Sequence, residues 1–91
     1  MADHVLAEYV LYFREGCHLC EDMISQMHSI LAAYDGAVLE LRNIDDNPDW
    51  QALFDKRVPV LMHGERVLSE FFLDEFSVRK HLNGQHGGSK V

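Results

Sequence analysis

The sequence predicts an α/β fold with the element order β-α-β-α-β-β-α, and three observations carry that reading. Glu8 to Phe13 is a nearly continuous apolar run of β-branched and aromatic residues. Immediately beyond it, apolar residues from Leu19 to Tyr34 recur at helical spacing. Ala37 to Ile44 then returns to strand character, with Leu39 and Leu41 alternating against Glu40 and Arg42. A strand, a long amphipathic helix and a second strand make a βαβ unit with parallel strands.

Each element has a physical reason. A run such as Glu-Tyr-Val-Leu-Tyr-Phe, with little alternation, suits a strand covered on both faces, so the first strand is expected at the centre of the sheet. The first helix is expected from Cys17 to Tyr34, with Leu19, Cys20, Met23, Ile24, Met27, Ile30 and Leu31 as its apolar stripe and Asp35-Gly36 closing it. The second strand, from Ala37 to Ile44, has one wetter face. Asn47-Pro48 opens a short helix, with asparagine as cap and proline at the first helical position. That helix should bury Trp50, Leu53 and Phe54 and stop near Lys56.

Val60-Leu61-Met62 reads as a short strand, His63-Gly64 as a turn and Arg66-Val67-Leu68 as the returning strand of a hairpin. Pro59 cannot donate to a ladder and belongs at the strand's entrance. Asp74 caps a last helix to about Leu82, which Asn83-Gly84 should end. Residues 1–7 and the tail 85–91 carry no pattern that would hold them, so one domain with an ordered core of about 8–83 is expected.

Composition narrows the function. Of 91 residues, 47% are apolar and 25% charged, as in an ordinary globular domain. The formal charge is −7, from 8 basic and 15 acidic side chains, with no basic cluster of the kind a phosphate backbone requires; no nucleic-acid partner is expected. No apolar run is long enough to cross a membrane. Met1-Ala2-Asp3-His4 lacks the layout of a signal peptide, so a cytoplasmic protein acting as a monomer is expected.

The chemistry-bearing stretch is Arg14-Glu15-Gly16-Cys17-His18-Leu19-Cys20, where strand hands over to helix. A disulfide between residues so close constrains the unfolded chain little, so the pair reads as redox chemistry rather than as a staple. An ordinary thiol near pKa 8.5 is only about 3% thiolate at pH 7, and backbone N–H groups at a helix start raise that fraction. Cys17 is therefore the expected nucleophile and Cys20 the resolving thiol. Arg14 and protonated His18 favour the thiolate, whereas Glu15, Glu21 and Asp22 oppose it. The competing readings are two small core cysteines or a metal site. His81 and His86 do have a zinc-like H-x4-H spacing, but the loose tail around His86 argues against it, and no metal is assigned.

The Cys-x-x-Cys at a helix start, Val58-Pro59 before the third strand and the element order together resemble a glutaredoxin. The closest resemblance is to a bacterial glutaredoxin-like family that also shows Cys-His-Leu-Cys followed by Arg-Val-Pro-Val-Leu. It covers roughly residues 8 to 83. It implies a thioredoxin fold, a four-stranded mixed sheet flanked by helices, and thiol-disulfide oxidoreductase activity. It further implies a cis Pro59 beside the redox pair, with Val58 offering its backbone to an extended substrate. Arg14, His18, Leu19, Arg57, Val58 and Pro59 would form the substrate-binding surface. The partner would be a disulfide-containing protein or a small thiol, with no bound cofactor.

The residues depart from glutaredoxin in ways that bear on glutathione. His18-Leu19 stands between the cysteines where glutaredoxins usually carry Pro-Tyr, and Arg57 replaces a threonine. Ser69-Glu70 replaces the Gly-Gly that follows the fourth strand and accepts glutathione's γ-glutamyl end, so glutathione is a disfavoured co-substrate. Phe71-Phe72-Leu73 is expected to close the core under the last helix, or else to form an apolar rim beside Cys17. Leu11 stands where thioredoxins bury an aspartate. The alternative to an enzyme is a non-catalytic binding or redox-sensing module.

Overall fold

The computed structural model describes residues 7–85; the expectations for residues 1–6 and for the tail beyond Gln85 lie outside the described residues. The elements are β1 (Ala7–Phe13), α1 (His18–Leu31), β2 (Ala37–Asn43), a 3-10 turn (Ile44–Asp46), α2 (Pro48–Phe54), β3 (Val60–His63), β4 (Arg66–Glu70) and α3 (Glu75–Gln85). They form one mixed sheet in the order β2-β1-β3-β4. β1 runs parallel to β2 and antiparallel to β3, and β3 and β4 form the hairpin.

The position of β1 follows from its composition. Ala7, Tyr9 and Leu11 pack on one face with Met23, Met27 and Ile30 of α1 and Val78 and Leu82 of α3. Tyr12 faces the opposite way into a smaller cluster with Ile44, Phe54 and Val60. Side chains of successive strand residues point to opposite faces, so a run apolar at nearly every position is needed where both faces are covered. β2, at the edge, leaves Val38 and Leu41 exposed. Among the described residues, no helix is long and apolar enough to cross a membrane.

Several boundaries differ from the sequence expectation. α1 begins at His18 because Cys17 is its extended N-cap. It ends at Leu31, after which N–H groups of Ala33 and Tyr34 bond three residues back, to Ile30 and Leu31, and Gly36 adopts φ +86°. The tightened turn satisfies carbonyls that an α-helix end leaves open. Ile44 leaves the strand for the 3-10 turn because the Asn43 side chain accepts from the Asp45 N–H at 3.0 Å. Leu53, expected in the buried stripe of α2, is 60% exposed; the helix is short and turns only Phe54 and part of Trp50 inward.

α3 does not stop at Asn83-Gly84 but runs through both to Gln85. Asn83 Oδ1 accepts from the Tyr34 hydroxyl at 3.0 Å, a contact that helps offset the cost of about 1 kcal/mol for glycine inside a helix. Asp74 caps α3 as expected, accepting from the Ser77 N–H at 3.1 Å. Ser69 and Glu70, placed after the fourth strand by sequence, are its last two residues. The chain turns instead at Phe71, which has φ +66° and whose neighbours close an N–H to carbonyl bond from Phe72 to Glu70 of 2.6 Å.

Candidate functional site

Strand β1 ends at Phe13, and the chain turns through Arg14, Glu15 and Gly16 before α1. Gly16 takes φ +78°, and a Cβ built there would meet nothing within 4 Å. Glycine is required by the backbone angle rather than by crowding. The turn delivers Cys17 to the N-cap, where its Sγ accepts the N–H of Cys20 at 3.1 Å and its carbonyl accepts that of Glu21 at 3.0 Å. Cysteine thus does what a serine or aspartate cap would do.

Cys17 and Cys20 are joined as a disulfide, with Cα atoms 5.2 Å apart. Cys20 is fully buried, whereas Cys17 is partly exposed. A substrate sulfur can therefore approach only the first cysteine from outside, and the second can be reached only from the first.

The charges around the pair are arranged differently from the simple sequence tally. Arg14 bridges Asp45 at 3.0 Å and Asp55 at 2.8 Å, and hydrogen bonds to those two carboxylates raise its already high pKa. Its charge is thus shared with carboxylates and not held open toward Cys17. The His18 side chain is 96% exposed and stands 3.8 Å from Glu21. The groups that favour a thiolate at Cys17 are accordingly the backbone N–H groups at the helix start. Leu19 is half-buried between the two cysteines.

The second half of the site comes from the entrance to β3. Tyr12 pairs with Val60, so the same register sets Pro59 beside Phe13, at the end of the sheet from which the redox turn departs. The Val58–Pro59 peptide bond is cis and the Pro59 side chain is fully buried. The Pro59 carbonyl accepts the Phe71 N–H at 2.9 Å, which ties this loop to the turn after β4. Arg57 lies over the Phe54 ring, 5.3 Å from its centroid, and pairs with Glu70. Leu11, in place of an acid, is fully buried in the main core.

Of the three residues after β4, only Leu73 packs against the core. Phe71 is 40% and Phe72 is 71% exposed, so the expectation that all three close the core is corrected: the turn at Phe71 rotates two rings outward. Phe76, one turn into α3, is exposed as well.

Sequence reasoning missed Asp45, Asp55 and Glu70 as partners of the site's arginines. The signal for Asp45 is a register: β1 and β2 pair Phe13 with Asn43, so the residue after one strand neighbours the acids after the other. It also missed a polar cluster at the opposite end of the sheet. The Tyr9 hydroxyl lies 2.6 Å from Nδ1 of His81, and the His63 and His81 rings are 4.4 Å apart. Burial pushes Tyr9 up to about 12, with Tyr34 adding to it. Burial, then His63, then Arg66 push His81 down. That bond occupies one ring nitrogen of His81, and His86, the other half of the H-x4-H spacing, lies outside the described residues. Among the described residues, no group of three or more histidines, cysteines or acids is placed to hold a metal.

The family model for the glutaredoxin-like domain (DUF836) matches residues 8–83. The solution NMR structure of protein Ne2328 from Nitrosomonas europaea is 38% identical, with a TM-score of 0.71 over 85% of this chain and 92% of that one. A structure of a malarial protein is 20% identical, with a TM-score of 0.60 over 84% of this chain and 97% of that one. The crystal structure of the germline-specific thioredoxin Deadhead from Drosophila melanogaster is 21% identical, with a TM-score of 0.57 over 87% and 79%. The last two likenesses show the fold alone, and that fold is the thioredoxin fold. No curated protein matches the chain.

Proposed function

We infer that this chain, which belongs to the glutaredoxin-like domain family, is a thiol-disulfide oxidoreductase in which Cys17 is the nucleophile and Cys20 the resolving thiol. The observation that carries the reading is the cap: Cys17 Sγ accepts a helix-start N–H while Cys20 is buried one turn behind it. In the reduced protein the same N–H groups would favour the thiolate at Cys17.

The steps balance as a two-electron exchange. The Cys17 thiolate attacks one sulfur of a substrate disulfide, forming a mixed disulfide and releasing one substrate thiolate, which takes up a proton. Cys20, deprotonated, attacks Cys17 Sγ, and the second substrate thiol departs. The substrate is reduced and the protein is left with the Cys17–Cys20 disulfide. Two equivalents of a cellular thiol return it to the dithiol.

Substrate would bind across the cleft between the cap and the Val58–Pro59 loop. An extended segment can pair with the backbone of Val58 in the manner of strand addition, while Leu19 supplies an apolar contact and His18 a polar one. Arg14 and Arg57 set the two sides of the cleft, each already neutralised by a carboxylate. The Arg57–Glu70 pair leaves neither charge open to a glutathione carboxylate, which favours a protein-borne disulfide over glutathione. The protein would act without a bound cofactor or metal, as a cytoplasmic monomer.

The test is steady-state turnover of a small disulfide and of a protein disulfide by the purified protein, each with dithiothreitol and, separately, with glutathione as reductant. Turnover that depends on Cys17 supports the enzyme, and preference for the protein disulfide supports the substrate class. Reversible oxidation of the pair with no turnover of either would assign the chain to redox sensing instead.

A further inference from the structure

The lysines and arginines of this acidic chain divide by partner. Among the described residues, Arg14, Arg42, Arg57 and Arg79 are each held in an ion pair. Lys56, Arg66 and Lys80 are not. Two of those three, Arg66 and Lys80, line the same cleft of about 360 Å³, together with Leu68, Phe76, Ser77 and His81.

The cleft lies between the start of β4 and the middle of α3. Arg66 pairs with His63 at the hairpin end of the strands, whereas Val60 pairs with Glu70 at the Pro59 end. At roughly 3.3 Å per residue, the four steps from Arg66 to Glu70 span about 13 Å, so Arg66 and the Pro59 loop lie at opposite ends of the hairpin. This is a second location on the protein, with a chemistry of its own.

Its polar lining consists mainly of donors. Arg66 offers a planar fork and Lys80 a point charge. The Tyr9 hydroxyl and Nδ1 of His81 share a hydrogen bond of 2.6 Å; with the hydroxyl as donor, the proton of the neutral ring stands on Nε2. The His63 ring, 4.4 Å from that of His81, is held by its own Nδ1 on the Glu8 carbonyl at 2.9 Å. The nearby acids are engaged: Asp74 accepts from Ser77 through both backbone and side chain, and Glu75 pairs with Arg79. Glu65, in the hairpin loop beside Arg66, is the exception among them and is exposed.

We propose that the cleft bounded by Arg66, Lys80 and His81 binds a multiply charged oxyanion, a phosphate group either free or carried on a small organic ester. Two cations and an imidazole N–H with no carboxylate among the lining residues select a deprotonated group with several acceptor oxygens. Leu68 and Phe76 supply an apolar wall against which the organic part of an ester would lie.

The test is a titration followed by amide and side-chain NMR at constant ionic strength, with inorganic phosphate, phenyl phosphate and acetate as separate ligands. The expected result is a saturable shift at Arg66, Lys80 and His81 with a phosphate ligand and little response to acetate. Tighter binding of phenyl phosphate identifies an ester as the ligand; equal binding identifies the free ion. Arg66→Gln and Lys80→Gln, both at exposed positions, should each weaken binding at least about fivefold. Lys56→Gln removes the same charge outside the cleft and should leave binding unchanged. No saturable shift with either phosphate, an equal response to acetate, or equal weakening by all three substitutions would overturn the proposal.

Discussion

The Arg57 guanidinium closes on the Glu70 carboxylate at the mouth of the Val58–Pro59 loop, joining the segment that leads into the third strand to the last residue of the fourth. Each would act on a substrate carboxylate if it stood alone, one attracting and the other repelling. Paired, they cancel. Glu70→Gln should release Arg57 and remove the repulsion together. Both side chains are partly exposed, so the effect is modest: KM for glutathione disulfide should fall roughly threefold, in the range that exposed pairs deliver. An unchanged KM in steady-state kinetics would show that neither residue meets glutathione.

Phe71 and Phe72 point outward from the turn that is bonded to the Pro59 carbonyl. Replacing either by alanine removes apolar surface next to the site without opening the core. Turnover of a protein disulfide should fall several-fold in Phe72→Ala while the thermal midpoint stays within a few degrees of the parent. Equal loss of turnover on a small disulfide would mean that the ring supports the site's geometry rather than gripping a partner.

Gly16 is held at φ +78° with open space around its Cα. Gly16→Ala should therefore cost about 1 kcal/mol through the backbone alone. Because the turn delivers Cys17 to its cap, reactivity of Cys17 toward a thiol reagent should fall with it. Denaturant unfolding and the alkylation rate measure the two effects.

The Tyr9–His81 pair gives the fold a pH dependence at both ends. His81 has its folded pKa pushed below the ordinary 6.5, by burial, then by His63, then by Arg66. The unfolded chain thus takes up this proton first, and stability is lost as pH falls below 6.5. Tyr9, pushed by burial from 10.0 to about 12, is lost in the opposite direction, as pH rises from 10 toward 12. Asp45 and Glu40, whose arginine partners hold them below the usual carboxylate range, contribute stability that is fully present near neutral pH and is lost only in more acid solution. The thermal midpoint of the parent should drop between pH 7 and 5, and His81→Gln should flatten that limb. Parallel curves would remove His81 as the cause.

What could be read from the sequence was whatever depends on local pattern. The element order, the central position of β1, the caps Asn47 and Asp74, and the cysteine pair at a helix start all rest on residues within a turn or a strand of one another. What could not be read depends on register between distant segments. Arg14 meets Asp45 only because β1 and β2 pair residues 30 apart, and Arg57 meets Glu70 only through the hairpin. Apolar character misled at Leu53, Phe71 and Phe72, which are hydrophobic but lie outside the small core that the short α2 and the early turn at Phe71 can close. The glycine in α3 misled for a related reason: the contact between Tyr34 and Asn83 that helps carry the helix past its expected end is tertiary.

The central claim is that a partly exposed Cys17 attacks and a buried Cys20 resolves. Cys20→Ser, reduced and mixed with a disulfide substrate, should accumulate a mixed disulfide that peptide mapping by mass spectrometry places on Cys17. Cys17→Ser treated the same way should form none. A mixed disulfide trapped on Cys20, or none in either variant, would contradict the account.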